Sequence, residues 1–95
     1  MTNKHAYEQK LRAQFDEWSA EIDKLRAKAD KADADAKIAL NRELDDLRQK
    51  RDEVQQKLDD LSAAGEEAWG DVKAGVEQAT RTLGDALAQA QSRFG

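Results

Sequence analysis

The sequence predicts an all-α protein whose helices lie against other helices. Three observations predict it. A stripe recurs at steps of three and four: Leu11, Phe15, Trp18, Ile22, Leu25, Ala29, Ala32, Ala36, Leu40, Leu44, Leu47, Arg51, Val54, Leu58 and Leu61. That spacing puts these residues on one side of a helix, which leaves water only by packing on another helix. No Gly or Pro stands between residues 4 and 64, so nothing there demands a break. The chain is 38% charged and 5% aromatic, with no Pro and no Cys. Helices with a narrow seam suit that composition better than a rounded core does.

The first helix has Thr2 or Asn3 to cap it. Opposite charges four apart support its exposed face: Glu8–Arg12, Arg26–Asp30, Asp33–Lys37, Asp46–Lys50 and Glu53–Lys57. A helix over positions 3–62 would be roughly 90 Å long. The stripe changes rhythm once. Ala29 to Leu44 covers fifteen residues in four turns, 3.75 per turn. A straight helix has about 3.6 and a heptad seam about 3.5, so the supercoil unwinds there or the chain turns. The same stretch, residues 28–36, holds no large apolar residue. The reading adopted is a long coiled-coil helix over about 3–62. The alternative is an antiparallel hairpin or three-helix bundle that turns near 32–36.

The second junction is Leu61-Ser62-Ala63-Ala64-Gly65, where Gly is a common helix terminator. Glu66 and Glu67 then suit the start of a new helix, whose dipole favours acids. Over about 66–94 the chain reads as a shorter amphipathic helix. Trp69, Val72, Val76, Ala79, Leu83, Leu87, Ala90 and Phe94 fall within an arc of about 100°. Gly70, Gly75 and Gly84 lie off that arc and weaken the helix by about 1 kcal/mol each. The organisation is thus residues 1–64 followed by 65–95, one domain overall. Three segments of similar length, 7–32, 36–62 and 66–94, match the bundle alternative.

On these residues the chain resembles the short, uncharacterised bacterial coiled-coil domain-containing proteins. The likeness covers the whole chain. It is carried by Leu11-Arg12-Ala13-Gln14-Phe15-Asp16-Glu17-Trp18-Ser19-Ala20-Glu21-Ile22-Asp23-Lys24-Leu25, by Ala34-Asp35-Ala36-Lys37-Ile38 and Leu44-Asp45-Asp46-Leu47-Arg48, and by Ala68-Trp69-Gly70-Asp71-Val72-Lys73-Ala74-Gly75-Val76-Glu77. The closing helix is also similar in composition to the amphipathic repeats of apolipoproteins. The resemblance implies a soluble helical protein without catalytic residues, and it supplies no activity to carry over.

Charge and motifs exclude several functions. The formal net charge is −4, so no basic excess is on hand to neutralise phosphates. The densest basic cluster, Arg48-Gln49-Lys50-Arg51, is flanked by Asp45, Asp46, Asp52 and Glu53. Residues 1–32 carry a net +1, residues 33–64 −3 and residues 65–95 −2, a gradient that favours staggered or antiparallel pairing. His5 is the only histidine and has no Cys or second His to complete a soft metal site. Asp30, Asp33 and Asp35, and the pairs Asp45-Asp46 and Asp59-Asp60, lack the calcium-loop pattern with its central Gly and read as solvated surface. Ser19, Ser62 and Ser92 lie in no nucleophile-elbow pattern, and no glycine-rich loop is present to cradle phosphate. No catalytic residue, cofactor, metal, nucleic acid or small-molecule substrate is therefore expected. The N-terminus lacks an apolar signal region and no apolar run could span a bilayer, which makes the cytoplasm the expected location.

Two functions remain. The first is a non-enzymatic structural or interaction protein, a self-associating coiled coil that acts as scaffold or helix-docking module. Its seam is Leu11, Phe15, Trp18, Ile22, Leu25, Leu40, Leu44, Leu47, Val54, Leu58 and Leu61, and its partner is a second copy or a helical protein. Arg51 in that seam either sets register or lays its long stem across it with the head in water. Trp18 is either an anchor for a partner or internal packing. The alternative is a membrane- or lipid-surface binder that uses Trp69, Val72, Val76, Leu83, Leu87 and Phe94. Its polar face is acidic, whereas interfacial helices favour Lys and Arg, and this disfavours it.

Overall fold

The computed structural model describes residues 2–94, with all their side chains except those of Thr2, Asn3, Glu66 and Phe94. Three helices follow one another: α1 (Thr2–Lys31), α2 (Ala34–Ala63) and α3 (Glu66–Phe94). They have nearly equal lengths of 30, 30 and 29 residues and form an antiparallel up-down-up bundle of 51 × 18 × 17 Å. The all-α expectation and the alternative with a turn near 32–36 describe this fold. The capping expected of Thr2 or Asn3 rests on side chains outside those described.

The uninterrupted helix over about 3–62 does not form; the chain reverses at Ala32 and Asp33. The reason lies in Asp33. Its backbone is extended (φ −69°, ψ 173°), and its side chain accepts a hydrogen bond from the Ala36 amide at 3.0 Å. Its carbonyl accepts from the Lys37 amide at 2.8 Å. That makes Asp33 the N-cap of α2, where Asp is among the preferred residues. On the other side the Ala32 amide closes on the Ala29 carbonyl at 3.2 Å, and Lys28 and Lys31 occupy the last turn of α1, where cations suit the dipole. Asp33, expected to pair with Lys37 through its side chain, is spent on the cap. The mate that the stripe requires comes from the same chain through a two-residue connection.

The second turn also differs from expectation in detail. α2 ends at Ala63 and is capped by Ala64, whose amide donates to the Leu61 carbonyl at 3.3 Å. Among the described residues no glycine has a positive φ, so Gly65 is not a left-handed terminator. Its carbonyl instead accepts from the Ala68 amide at 3.1 Å and opens α3.

The bundle core joins one stripe from each helix. α1 gives Leu11, Ile22, Leu25 and Ala29; α2 gives Leu40, Leu44, Leu47, Val54, Leu58 and Leu61; α3 gives Val76, Leu83, Leu87 and Ala90. Among the described residues no polar or charged residue is buried as a whole. α2 packs closely on both neighbours, whereas the backbones of α1 and α3 approach at few points. Register on the α1–α2 side is set by Lys4 donating to the Ala64 carbonyl, by Ser62 donating to Glu8 at 3.2 Å and by Arg12 near Asp59 at 3.6 Å. Of the expected exposed pairs, Glu8–Arg12 (3.4 Å) and Asp46–Lys50 (2.6 Å) form. No described helix is long and apolar enough to cross a membrane.

Candidate functional site

The two apolar surfaces expected to meet partners turn out to meet each other. The seam residues Leu11, Ile22, Leu25, Leu40, Leu44, Leu47, Val54, Leu58 and Leu61 are buried, and Phe15 and Trp18 are half-buried against them. Val76, Leu83 and Leu87 of the last helix are buried in the same cluster, with Trp69 and Val72 packed at its edge. The side chain of Phe94 lies outside the described residues. In this fold the α3 face points inward, and reaching a lipid surface requires α3 to leave the bundle. Arg51 keeps its stem beside the seam, and its guanidinium lies 3.6 Å from Asp52 on the same helix.

The side of the bundle that stays open is the groove between α1 and α3. Side chains rather than close backbones bridge it, and the bulkiest of them is Trp18. Its indole rests on Gly84: a Cβ at that glycine would sit 2.8 Å from Cη2 and 3.1 Å from Cζ2. Gly84 lies off the apolar arc of α3, yet it faces α1, and only a residue without a side chain leaves room for the ring. Beyond the ring the groove widens into about 440 Å³ of open space lined by Glu17, Trp18, Glu21, Gly84, Leu87 and Gln91. Gln91 donates to Glu21 across it at 2.8 Å. Glu21 also pairs with Lys24 at 3.2 Å, so the α1 lip runs from acidic (Glu17, Glu21) to basic (Lys24, Lys28).

Where α1 begins, the groove is closed by an aromatic cluster. Tyr7 meets Trp69 edge to face with centroids 5.9 Å apart, a favoured geometry for two rings. Lys73 Nζ stands 4.8 Å from the Tyr7 ring and 5.1 Å from the Trp69 ring, within reach of both π faces. The Tyr7 hydroxyl donates to Glu77 at 2.7 Å. Burial pushes the Tyr7 phenol well above its ordinary range, and the hydrogen bond to Glu77 and that carboxylate's charge push the same way. Trp69 Nε1, Ser19 Oγ and Thr80 Oγ1 are buried without a hydrogen-bond partner.

Of this cluster only Trp69 was read from the sequence as a site residue, on the face of the last helix; Tyr7, Lys73 and Glu77 were not. Tyr7 carried a signal, since it stands four before Leu11 and extends the stripe by one turn. Trp69, Lys73 and Glu77 carried another, since they lie four apart on one helix face. Gly84 carried none beyond being a glycine inside a helix. Among the described residues no group of three or more His, Cys, Asp or Glu could hold a metal ion. His5 lies on the exposed surface with Gln9 3.1 Å away. Ile38 is the one large apolar residue exposed among the described residues. Comparison of the chain with protein-family models, with curated proteins and with solved structures finds no match.

Proposed function

We propose that this protein is a non-enzymatic helical interaction module, a small scaffold that accepts a helix of a partner along the α1–α3 groove. The observation that carries this reading is the asymmetry of the bundle. Two of its three interfaces are closed by interlocking apolar side chains, while the third is held apart by Trp18 and bridged by Gln91 and Glu21. A fourth helix in such a groove completes a four-helix arrangement, and amphipathic helices commonly bind in this way. Trp18, half-buried and central, is the natural anchor, because Trp carries a large share of interface energy. The lip that changes from Glu17 and Glu21 to Lys24 and Lys28 favours a partner helix whose charges run in the opposite order.

A photoreactive residue at Ala88, on the groove wall, tests this in cells. Adducts with a helical protein at Ala88, absent when the same group replaces Asp45 on the far side of α2, support the reading. A separate Ala88→Arg variant, without the photoreactive residue, should fail to form the corresponding complex while melting stays unchanged. Equal adducts from both positions, or a complex indifferent to Ala88→Arg, would overturn it.

A further inference from the structure

We infer that the α1–α2 turn is a hinge and that two copies of this chain exchange α1 by straightening it into one long helix. Three observations carry this. First, the apolar stripe does not break at the turn. At about 100° per residue, the buried residues of α1 and α2 fall within one arc of about 100° on a continuous helix, with Ala36 on the same arc and Ala32 about 20° beyond its edge. A turn selected only to reverse the chain has no need to preserve that phase. Second, Asp33 becomes helical through one torsion. Its φ of −69° is close to the helical value of about −63°, and chiefly ψ, now 173°, must swing to about −42°. Straightening also gives intrahelical partners to the amides and carbonyls that helix ends leave over. Third, the connection contains no glycine. At the other connection Gly65, a poor helix former, stands on the extension of the stripe and opposes straightening.

The occupant of the vacated α1 site is therefore a second α1, which makes every contact the first one made. Exchange of identical elements is a low-cost route to a dimer, since monomer and dimer differ mainly at the hinge. The register set by Glu8 on Ser62 and Arg12 on Asp59 places the two-fold axis of the straightened pair near Asp35. There Ala29, Ala32 and Ala36 of both copies allow the helices a close approach. α1 of one copy and α3 of the other rebuild the Trp18–Gly84 groove, so this inference stands or falls separately from the proposed partner site.

The test uses the full chain with Lys10→Cys and Gln56→Cys, which are free of competing thiols because the chain has no cysteine. These positions stand on adjacent antiparallel helices in the monomer and roughly 70 Å apart on a straight helix. Donor and acceptor dyes on one chain, diluted in unlabelled chains and refolded at high protein concentration, should give a dimer by light scattering in which intrachain energy transfer is lost. Asp33→Ala removes the cap and should raise the dimer association constant about fivefold per hinge, so about 25-fold for two. Asp33→Gly keeps a serviceable cap but disfavours helix through the hinge, and should lower it. A dimer that keeps intrachain transfer overturns the exchange and points to association through the groove instead. Asp33→Ala and wild-type chains that both stay monomeric at millimolar concentration overturn it as well.

Discussion

At the end of the bundle where α1 begins, α1 and α3 meet around the rings of Tyr7 and Trp69; at the end where α1 gives way to α2, those two helices meet around alanines. Toward that second end Arg93 of α3 approaches Glu43 of α2 to 3.5 Å, and Gln91 contacts Glu21 of α1. Ala29 is the buried residue of α1 nearest the turn. The aromatic end holds by large apolar area and a ring–ring contact. The alanine end holds by close approach and by one capping carboxylate. The same stripe period thus makes a firm end and a yielding end, depending on residue size at the stripe. Hydrogen exchange should follow that difference, with amides near Ala29 and Ala36 opening at lower free energy than those near Leu58.

The largest test of the contrast is a matched pair of core truncations. Leu61→Ala, at the aromatic end, should cost about 3–4 kcal/mol, whereas Leu40→Ala, near the alanine end and slightly more exposed, should cost about 2 kcal/mol. Chemical denaturation of the two variants measures both, and equal losses would erase the distinction between the ends. Next comes a pair of glycines in α3. Gly84→Ala drives a methyl into the Trp18 ring and should lose about 1–2 kcal/mol despite the better helix propensity. Gly70→Ala meets open space and should gain about 0.5–1 kcal/mol. Thermal melts of both variants decide it, and a gain at Gly84 would mean that the ring moves away freely.

A smaller effect concerns pH at the aromatic end. The folded phenol of Tyr7 ionises at higher pH than the unfolded one, so the unfolded chain loses its proton first, near pH 10. The stability contributed by neutral Tyr7 is whole below about pH 10 and drains as pH rises above it. Tyr7→Phe should therefore flatten the alkaline fall in stability relative to wild type, and parallel curves would remove Glu77 as its partner. The smallest effect is expected at Thr80. Its buried hydroxyl has no partner, and Thr80→Val should stabilise by up to about 1 kcal/mol in urea titrations.

Much of this architecture was legible in the spacing of apolar residues. The stripe from Leu11 to Leu61 and the arc from Trp69 to Leu87 identify the faces that become the core, and the change of rhythm after Ala29 marks where the chain turns. What spacing leaves open is whether the stripe closes on its own chain or on another, because a continuous helix and a hairpin bury the same residues. A single carboxylate, Asp33, decides between them locally. The groove was less legible. Trp18 drew attention by its size, but its seat was out of view, since Gly84 lies 66 residues away and is unremarkable in its own helix.

That seat binds two distant positions to a common fate in descent. While an indole stands at 18, no side chain is tolerated at 84 without displacement of the ring, and a lineage that shrinks the indole to leucine frees 84 to lengthen. Drift at either position is then a wager on the other, and permitted histories pass through the small residue first.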